Sequence, residues 1–176
     1  FGTKGADLAP EIKAGVAFSS PCDIAAGSDA LDRWDNYIYK KRFMAFLERK
    51  MHLKNQQFPG KLDVSKLKDV RRWHDFDEWF SAPICGYASA AEFHRNASAK
   101  NFLAGIRVPT LLVNAVNDPI LTPECFPTEI AETHPYFYFE LSPGGGHCGF
   151  RARGDRESSW SERRALEFCE TQIMRI

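Results

Sequence analysis

The sequence predicts an α/β fold with a parallel sheet, because short apolar runs alternate with segments of helical periodicity. The apolar runs occur at 14–20, 108–119 and 136–142 and have the length of buried strands. The central run contains TLLVNAV, which is apolar on both faces, as in a parallel sheet that helices cover on both sides. Hydrophobic residues make up 44% of the 176 residues, which fits one folded domain or part of a larger one.

The first half of the chain is predicted to be one strand followed by a mostly helical region. AGVAFSS (14–20) precedes a proline and is interpreted as a buried strand closed by a loop. Residues 29–54 are predicted to form one long helix, because apolar residues recur mostly at three- and four-residue steps. Short helices are predicted at 64–73 and 89–106, and the aromatic-rich stretch at 76–87 is expected to be irregular. The apolar stripe of the long helix comprises Leu31, Trp34, Ile38, Met44, Leu47 and Met51.

The second half is predicted to continue as strand, helix, strand and helix. Pro109 precedes the apolar run of the second strand, and Asn117-Asp118-Pro119 ends it. Residues 125–134 are predicted to form a short helix, residues 136–142 a third strand, and residues 158–176 a terminal amphipathic helix. The apolar side of the terminal helix comprises Trp160, Ala165, Leu166, Cys169 and Ile173. Crossovers between the parallel strands are expected to be right-handed.

Charge and cysteine content argue against several classes of protein. The chain has 23 Lys and Arg and 23 Asp and Glu, so its zero net charge gives no basic surface for nucleic acid or an anionic membrane. No apolar run approaches the roughly 20 residues of a membrane span, and the first residues do not resemble a signal peptide. The five cysteines include no C-x-x-C pair, so we expect reduced thiols and a cytoplasmic protein. The Arg153-Gly154-Asp155 tripeptide is interpreted as a chance match to an adhesion motif.

Two strand ends carry the candidate site residues, Asp118 and His147. In parallel sheets, functional side chains collect in loops at the carboxyl ends of strands. Asp118 follows the second strand and His147 the third, so adjacent strands would bring both side chains to one edge. Gly144, Gly145 and Gly146 precede the histidine and would let the backbone bend sharply. A carboxylate that holds one ring nitrogen fixes the histidine tautomer for proton transfer, so the pair predicts acid–base catalysis.

Each of these residues also has a simpler interpretation. A single histidine after a strand is commonly a surface loop residue, and an aspartate before proline is commonly a turn former. Cys148 could act as a nucleophile, although the side chain next to His147 along the chain usually points elsewhere. The remaining histidines lie in helical or polar contexts and are interpreted as structural or solvent-facing; they are His52, His74, His94 and His134.

An ordered set of motifs resembles the α/β-hydrolase superfamily. The set comprises VPTLLVNAVNDPIL (108–121), PECFP (123–127) and GGGHCGF (144–150). More narrowly, the chain is similar to the YheT-type group of predicted esterases, on the further stretches FSSPCDI, LKDVRRWHDFDEWFSAPICGY and FHRNASA. The resemblance covers nearly the whole chain. It implies the C-terminal half of an α/β-hydrolase fold, with about three parallel strands, flanking helices and a helical cap insertion at about 25–105.

The resemblance implies a serine-type hydrolase of carboxylic esters, with Asp118 as the acid and His147 as the histidine of a Ser-Asp-His triad. In this family the nucleophile lies before the acid, in a G-x-S-x-G elbow. No serine of this chain has glycines at positions −2 and +2. The triad needs no metal and no organic cofactor. The expected partner is a small-molecule ester or lipid substrate with an apolar acyl group.

The sequence leaves open the role of the cap aromatics and the class of reaction. The cap aromatics either pack the cap itself or line an apolar pocket for an acyl chain; they include Trp34, Phe43, Phe46, Trp73, Phe76, Trp79 and Phe80. The alternatives to a hydrolase are an acyltransferase, which differs only in the acceptor, and a non-catalytic binding or interaction protein on a hydrolase-derived scaffold.

The missing elbow predicts that this chain alone is inactive and that the strand at 14–20 has an unpaired edge. Unpaired N–H and C=O groups along an apolar strand favour association with another chain. We therefore expect self-association along this edge, or pairing with an N-terminal half that carries the nucleophile.

Overall fold

A computed structural model describes residues 1–152 and 158–174. The chain divides into two compact units, a sheet unit of Phe1–Asp23 with Ala99–Ile176, and a helical unit of Ile24–Ser98. The helical unit begins close to the predicted start of the cap insertion and ends before its predicted end at about 105. The Arg153-Gly154-Asp155 tripeptide and the last two residues of the predicted terminal helix lie outside the described residues.

The described part of the sheet unit contains three parallel strands in the order β1-β2-β3, which confirms the predicted fold class. The strands are β1 (Gly15–Phe18), β2 (Thr110–Ala115) and β3 (Phe137–Ser142). Phe18 pairs with Val113, and Ala115 pairs with Ser142. Because the strands are parallel and in this register, their carboxyl ends lie along the same edge of the sheet.

The central strand β2 is covered on both faces, as its apolar sequence predicts. Successive side chains of a strand point to opposite faces. Leu112 belongs to one buried cluster, which also contains Cys22, Leu103, Ile106 and Phe137. Leu111, Val113 and Ala115 belong to a second cluster, which also contains Phe150 and Phe168. The two clusters are the cores on either side of the sheet, and they hold the ends of β2 in place.

The helical unit contains five α-helices. They are α1 (Ile24–Asp32), α2 (Tyr37–Gln57), α3 (Trp73–Phe76), α4 (Ala82–Ile84) and α5 (Ala90–Ala97). Met51, Phe76 and Phe80 form the buried centre of this unit. Among the described residues of both units, no helix has the length and apolar character that crossing a bilayer requires.

The prediction of one long helix at 29–54 is wrong, because the helix is broken at Arg33. Arg33 has extended backbone (ψ 150°), and a short 3₁₀ turn, Trp34–Asn36, precedes α2. The Asn36 side chain donates a hydrogen bond to the Ala30 carbonyl at 2.8 Å, so it satisfies the end of α1 in place of the next helical turn. Two members of the predicted apolar stripe are consequently exposed: Trp34 at 89% and Ile38 at 78%.

The expectation of an irregular stretch at 76–87 is also wrong. A π-helical segment, Asp77–Ser81, joins α3 to α4 and makes most of this stretch helical. Asp75 begins it by accepting hydrogen bonds from the backbone N–H groups of Arg71 and Arg72. Burial of Phe76 and Phe80 then favours a helix that local propensity does not indicate. The predicted helix at 64–73 is a 3₁₀ helix over Val64–Asp69.

The sheet unit also contains the helices α6 (Thr128–Thr133) and α7 (Trp160–Ile173). Ile130 of α6 packs on one face of the sheet and Phe168 of α7 on the other. Ser159 caps α7 together with Glu162, since each side chain accepts a hydrogen bond from the other residue's backbone N–H. The predicted apolar side of this helix is partly wrong: Leu166 and Ile173 are exposed, and the buried side includes Phe168 and Gln172.

Candidate active site

The structure brings Asp118 and His147 together at the carboxyl edge of the sheet. Asp118 lies in the turn after β2, and His147 lies in the glycine loop after β3. Asp118 Oδ2 and His147 Nδ1 are 3.0 Å apart. The carboxylate is fully buried, whereas the imidazole is 29% exposed. The pair therefore has a buried anionic side and a ring that can be reached from solvent.

Both oxygens of the Asp118 carboxylate are used. Oδ1 accepts hydrogen bonds from the backbone N–H of Ile120 at 2.9 Å and of Leu121 at 3.3 Å. Burial raises the pKa of Asp118. The hydrogen bonds from His147 and Ile120 together lower it by more than burial raises it, so the pKa lies below the ordinary value. An aspartate with a lowered pKa is ionised at neutral pH and can only accept hydrogen bonds. The proton on the bond to His147 therefore belongs to Nδ1, and Nε2 is the basic nitrogen of the neutral ring.

The glycine loop bends at two of its three glycines. Gly145 and Gly146 have positive φ angles, of 149° and 55°, which side chains other than hydrogen rarely permit. Gly144 does not have a positive φ, and a Cβ there would meet open space. The Gly145 carbonyl accepts hydrogen bonds from the N–H groups of Gly149 and Phe150, which closes the loop around His147. The three glycines are therefore not equivalent.

Two residues at the edge of the sheet contact the histidine loop, and sequence reasoning assigned neither of them a role. Ser19 follows β1, and its Oγ accepts a hydrogen bond from the Cys148 N–H at 3.0 Å. Asn117 follows β2, and its Oδ1 accepts one from the Gly146 N–H at 2.9 Å. Their positions in the sequence could have identified Ser19 and Asn117. Each lies at the end of a predicted strand, and β1, β2 and β3 are neighbours in the sheet.

The other polar candidates lie elsewhere. Cys148 is exposed and lies in the histidine loop. His94 is buried in the helical unit, where its Nε2 is 2.8 Å from Asp77 Oδ2. His52 is exposed on α2. Within the ranges that the structure describes, no three His, Cys, Asp or Glu side chains are grouped so that they could hold a metal ion.

The chain is similar in sequence to several known proteins. It is 32% identical over 149 residues to "Putative esterase YheT" of Escherichia coli (strain K12), over 84% of this chain and 43% of that protein. It is 28% identical over 162 residues to "Abhydrolase domain-containing protein" of Dictyostelium discoideum, over 89% of this chain and 40% of that protein. It is 26% identical over 182 residues to "Medium-chain fatty acid ethyl ester synthase/esterase 2" of Saccharomyces cerevisiae, over 89% of this chain and 39% of that protein.

The chain thus spans about two fifths of the length of each of these three relatives. No protein-family model matches it, and no solved structure matches it. Its similarity to esterases and to an abhydrolase-domain protein agrees with the three parallel strands of its sheet. On these grounds the chain belongs to the α/β-hydrolase superfamily.

Proposed function

We propose that this chain supplies the acid, Asp118, and the general base, His147, of a serine-type hydrolase that acts on carboxylic esters. The observation that carries the proposal is the 3.0 Å contact between Asp118 Oδ2 and His147 Nδ1 at the carboxyl edge of parallel strands. Acids and histidines of hydrolytic triads have this arrangement, with a buried carboxylate behind a partly exposed imidazole. The names of two relatives, which contain the word esterase, support the ester substrate.

In the proposed reaction, His147 Nε2 accepts the proton of a serine hydroxyl while the serine oxygen attacks the ester carbonyl. The imidazolium that forms donates this proton to the departing alcohol oxygen, which leaves an acyl-enzyme. Water then attacks the acyl-enzyme while His147 Nε2 accepts its proton. The proton returns to the serine oxygen as the carboxylic acid is released. Asp118 stays ionised throughout, orients the ring through Nδ1, and stabilises the imidazolium. The two backbone N–H groups on Oδ1 keep the carboxylate from turning away.

The nucleophile is proposed to come from outside residues 1–176. This chain contains no G-x-S-x-G elbow, and it spans about two fifths of its relatives' length. We therefore propose that the chain alone is inactive. The helical unit is proposed to be the cap domain, since it is inserted in the sequence between β1 and β2. We also propose that the acyl group of the substrate is apolar and that the protein is cytoplasmic.

The test uses the full protein that contains this chain and a series of chromogenic esters with acyl groups from two to twelve carbons, a range chosen for the assay. His147→Gln and Asp118→Asn are each expected to lower kcat by about 10³-fold or more, because the general base or its orientation is lost. His52→Gln is the matched control, since His52 is exposed on α2. Full activity in His147→Gln would contradict the proposal.

An acyltransferase is the second candidate, and the yeast relative named as both synthase and esterase favours it. The two reactions share the acyl-enzyme and differ in whether water or an alcohol accepts the acyl group. Product analysis with increasing ethanol distinguishes them, because a transferase forms ethyl ester in preference to free acid. If the full protein binds esters but does not turn them over, the non-catalytic alternative is supported.

The free edge of β1 is proposed to pair with another strand. Among the described residues, β1 pairs with β2 alone, although its sequence is apolar. An apolar strand with one open edge favours a second partner. We propose that this partner is an N-terminal half of the protein or, in its absence, a second copy of the chain.

A further inference from the structure

The backbone on both sides of His147 is held by side chains from the two neighbouring strands. The N–H of Gly146, the residue before the histidine, donates to Asn117 Oδ1 at 2.9 Å. The N–H of Cys148, the residue after it, donates to Ser19 Oγ at 3.0 Å. Asn117 extends from the end of β2 and Ser19 from the end of β1. The catalytic histidine is thus attached by its two flanking amides to the rest of the sheet edge.

The loop needs such attachment, because its backbone is strained. Cys148 and Phe150 have positive φ angles of 64° and 36°, which are uncommon for residues with a side chain. Strained backbone of this kind persists only where the surrounding structure holds it. Without the two side-chain acceptors, the peptide units at 146 and 148 would be free to relax, and the imidazole would move with them.

Ser19 is itself held in a way that serves this contact. Ser19 has a φ of 48° and is only 4% exposed. Its backbone N–H donates a hydrogen bond to the Val113 carbonyl of β2 at 2.9 Å. This backbone turn directs the hydroxyl towards the histidine loop instead of along the strand. An observed left-handed, buried, non-glycine residue beside a functional site indicates a functional constraint.

We propose that Ser19 and Asn117 are positioning residues that form a clamp on the backbone of His147 and keep its ring against Asp118. The predicted effect of the clamp on the reaction rests on the proposed function. Its predicted effect on the Asp118–His147 contact does not depend on activity. A displacement of about 1 Å at a catalytic group lowers rates by about 10²-fold, so a clamp of this type controls kcat. It makes no contact with the substrate, so KM is expected to be little affected.

Ser19 is assigned to positioning and not to nucleophilic attack. The chain order of Ser19, Asp118 and His147 is that of a hydrolase triad, but the Ser19 oxygen already accepts the Cys148 amide and is almost fully buried. A fluorophosphonate probe, which labels activated serines, is therefore expected to leave Ser19 unmodified. Covalent labelling at Ser19, detected by peptide mass spectrometry, would overturn the assignment.

The decisive variant is Ser19→Gly, because glycine accepts the positive φ but has no hydroxyl. Relief of the positive φ partly offsets the loss of the hydrogen bond from the Cys148 N–H, so we expect the variant to stay folded. If Ser19 holds the histidine, the protein stays folded while the contact with Asp118 loosens. Asn117→Ala removes the other acceptor, and Asn117→Asp retains an acceptor oxygen and is expected to rescue. Ser142→Ala is the matched control, since the Ser142 hydroxyl bonds to the Gly144 carbonyl in the same loop but to neither flanking amide.

The first measurement uses the full protein that contains this chain. The His147 Nδ1 proton is followed by ¹⁵N-edited NMR, and its exchange rate with water reports how long the bond to Asp118 stays closed. We expect Ser19→Gly and Asn117→Ala to exchange about tenfold faster or more, and Ser142→Ala and Asn117→Asp to exchange at the wild-type rate. Unchanged exchange in both Ser19→Gly and Asn117→Ala would overturn the proposal.

The second measurement uses the full protein that contains this chain. Ser19→Gly is expected to lower kcat for an ester by about 10-fold to 100-fold, with KM changed by less than about twofold. A change in KM with kcat unaffected would overturn the clamp. If no variant, including wild type, hydrolyses esters, the proposed function fails, and the exchange measurement still decides whether the clamp exists.

Discussion

The ring of Phe150 occupies the space that a side chain at Gly145 would need. A Cβ at position 145 would lie 2.7 Å from Cδ1 and Cε1 of that ring and 3.2 Å from the Ala115 Cβ. Phe150 is buried, with its ring centroid 5.3 Å from that of Phe18 and 5.9 Å from that of Trp160. The bend of the histidine loop and the packing of one sheet face therefore depend on each other.

Gly145→Ala is accordingly expected to destabilise the protein by about 2 kcal/mol or more. The φ of 149° is unfavourable for alanine, and the new methyl group would force the Phe150 ring out of its packing. The free energy of unfolding is measured by urea denaturation followed by tryptophan fluorescence. Gly144→Ala is the control and is expected to change stability by less than about 0.5 kcal/mol, since nothing lies within 4 Å of its added Cβ. Equal effects of the two substitutions would show that the loop has a different conformation.

Asp118 is expected to make stability depend on pH in the acid range. Its pKa in the folded protein lies below the ordinary 3.8, so the folded state favours the ionised form. The stability that this contributes is complete above about pH 4 and is lost as the pH falls through the folded pKa. The difference in unfolding free energy between wild type and Asp118→Asn is thus expected to be larger at pH 5 than at pH 3.

The same difference is expected to become smaller towards pH 3, where Asp118 of the wild type begins to gain a proton. Urea denaturation of both proteins at each pH gives this difference directly. The contributions of the other carboxylates to the pH dependence cancel, because both proteins contain them. A difference that grows as the pH falls would mean that the pKa of Asp118 is raised and not lowered.

The buried contact between His94 and Asp77 is expected to be the most sensitive polar pair of the helical unit. Their side chains are only 8% and 5% exposed and lie 2.8 Å apart. Asp77→Ala leaves the His94 ring buried without its acceptor, which costs about 2–4 kcal/mol of unfolding free energy. Asp77→Asn retains an acceptor oxygen and is expected to cost less.

The control for this pair is the surface contact between Arg33 and Asp35. These side chains are largely exposed, so solvent screens their interaction. Asp35→Ala is expected to leave the thermal midpoint unchanged, as measured by circular dichroism. The interpretation of His94 as a structural histidine would be wrong if Asp77→Ala were as stable as Asp35→Ala.

The open edge of β1 is expected to control association of the chain. The N–H groups of Gly15 and Ser19 face β2, so by the alternation of a strand the Val16 N–H faces the open edge. Val16→Pro removes that donor without removing a bond to β2, and is expected to lower the associated fraction in sedimentation velocity. Val16→Ala retains the donor, and should associate like wild type. A chain that is monomeric at all concentrations, with no second polypeptide bound, would contradict the edge proposal.

The positions of the strands and of the candidate site residues could be predicted from the sequence. TLLVNAV and YFYFEL have the local composition of buried strands, and parallel strands present their carboxyl ends at one edge. The meeting of Asp118 and His147 follows from this rule together with their places after β2 and β3. What each residue does there stays a prediction until activity is measured.

Side-chain contacts that the sequence pattern does not encode decided the rest, because they override local preference. Asn36 interrupts the predicted long helix by bonding back to Ala30, and burial of Phe80 makes an apparently irregular stretch helical. The distinction between Gly144 and Gly145 depends on where Phe150 packs, and the contact between Ser19 and Cys148 joins residues 129 positions apart. Local composition along the chain determines which segments become strands, including the central strand that is buried on both faces. The side chains that hold the histidine loop are determined only when those strands lie side by side, since no spacing in the sequence encodes such a distance.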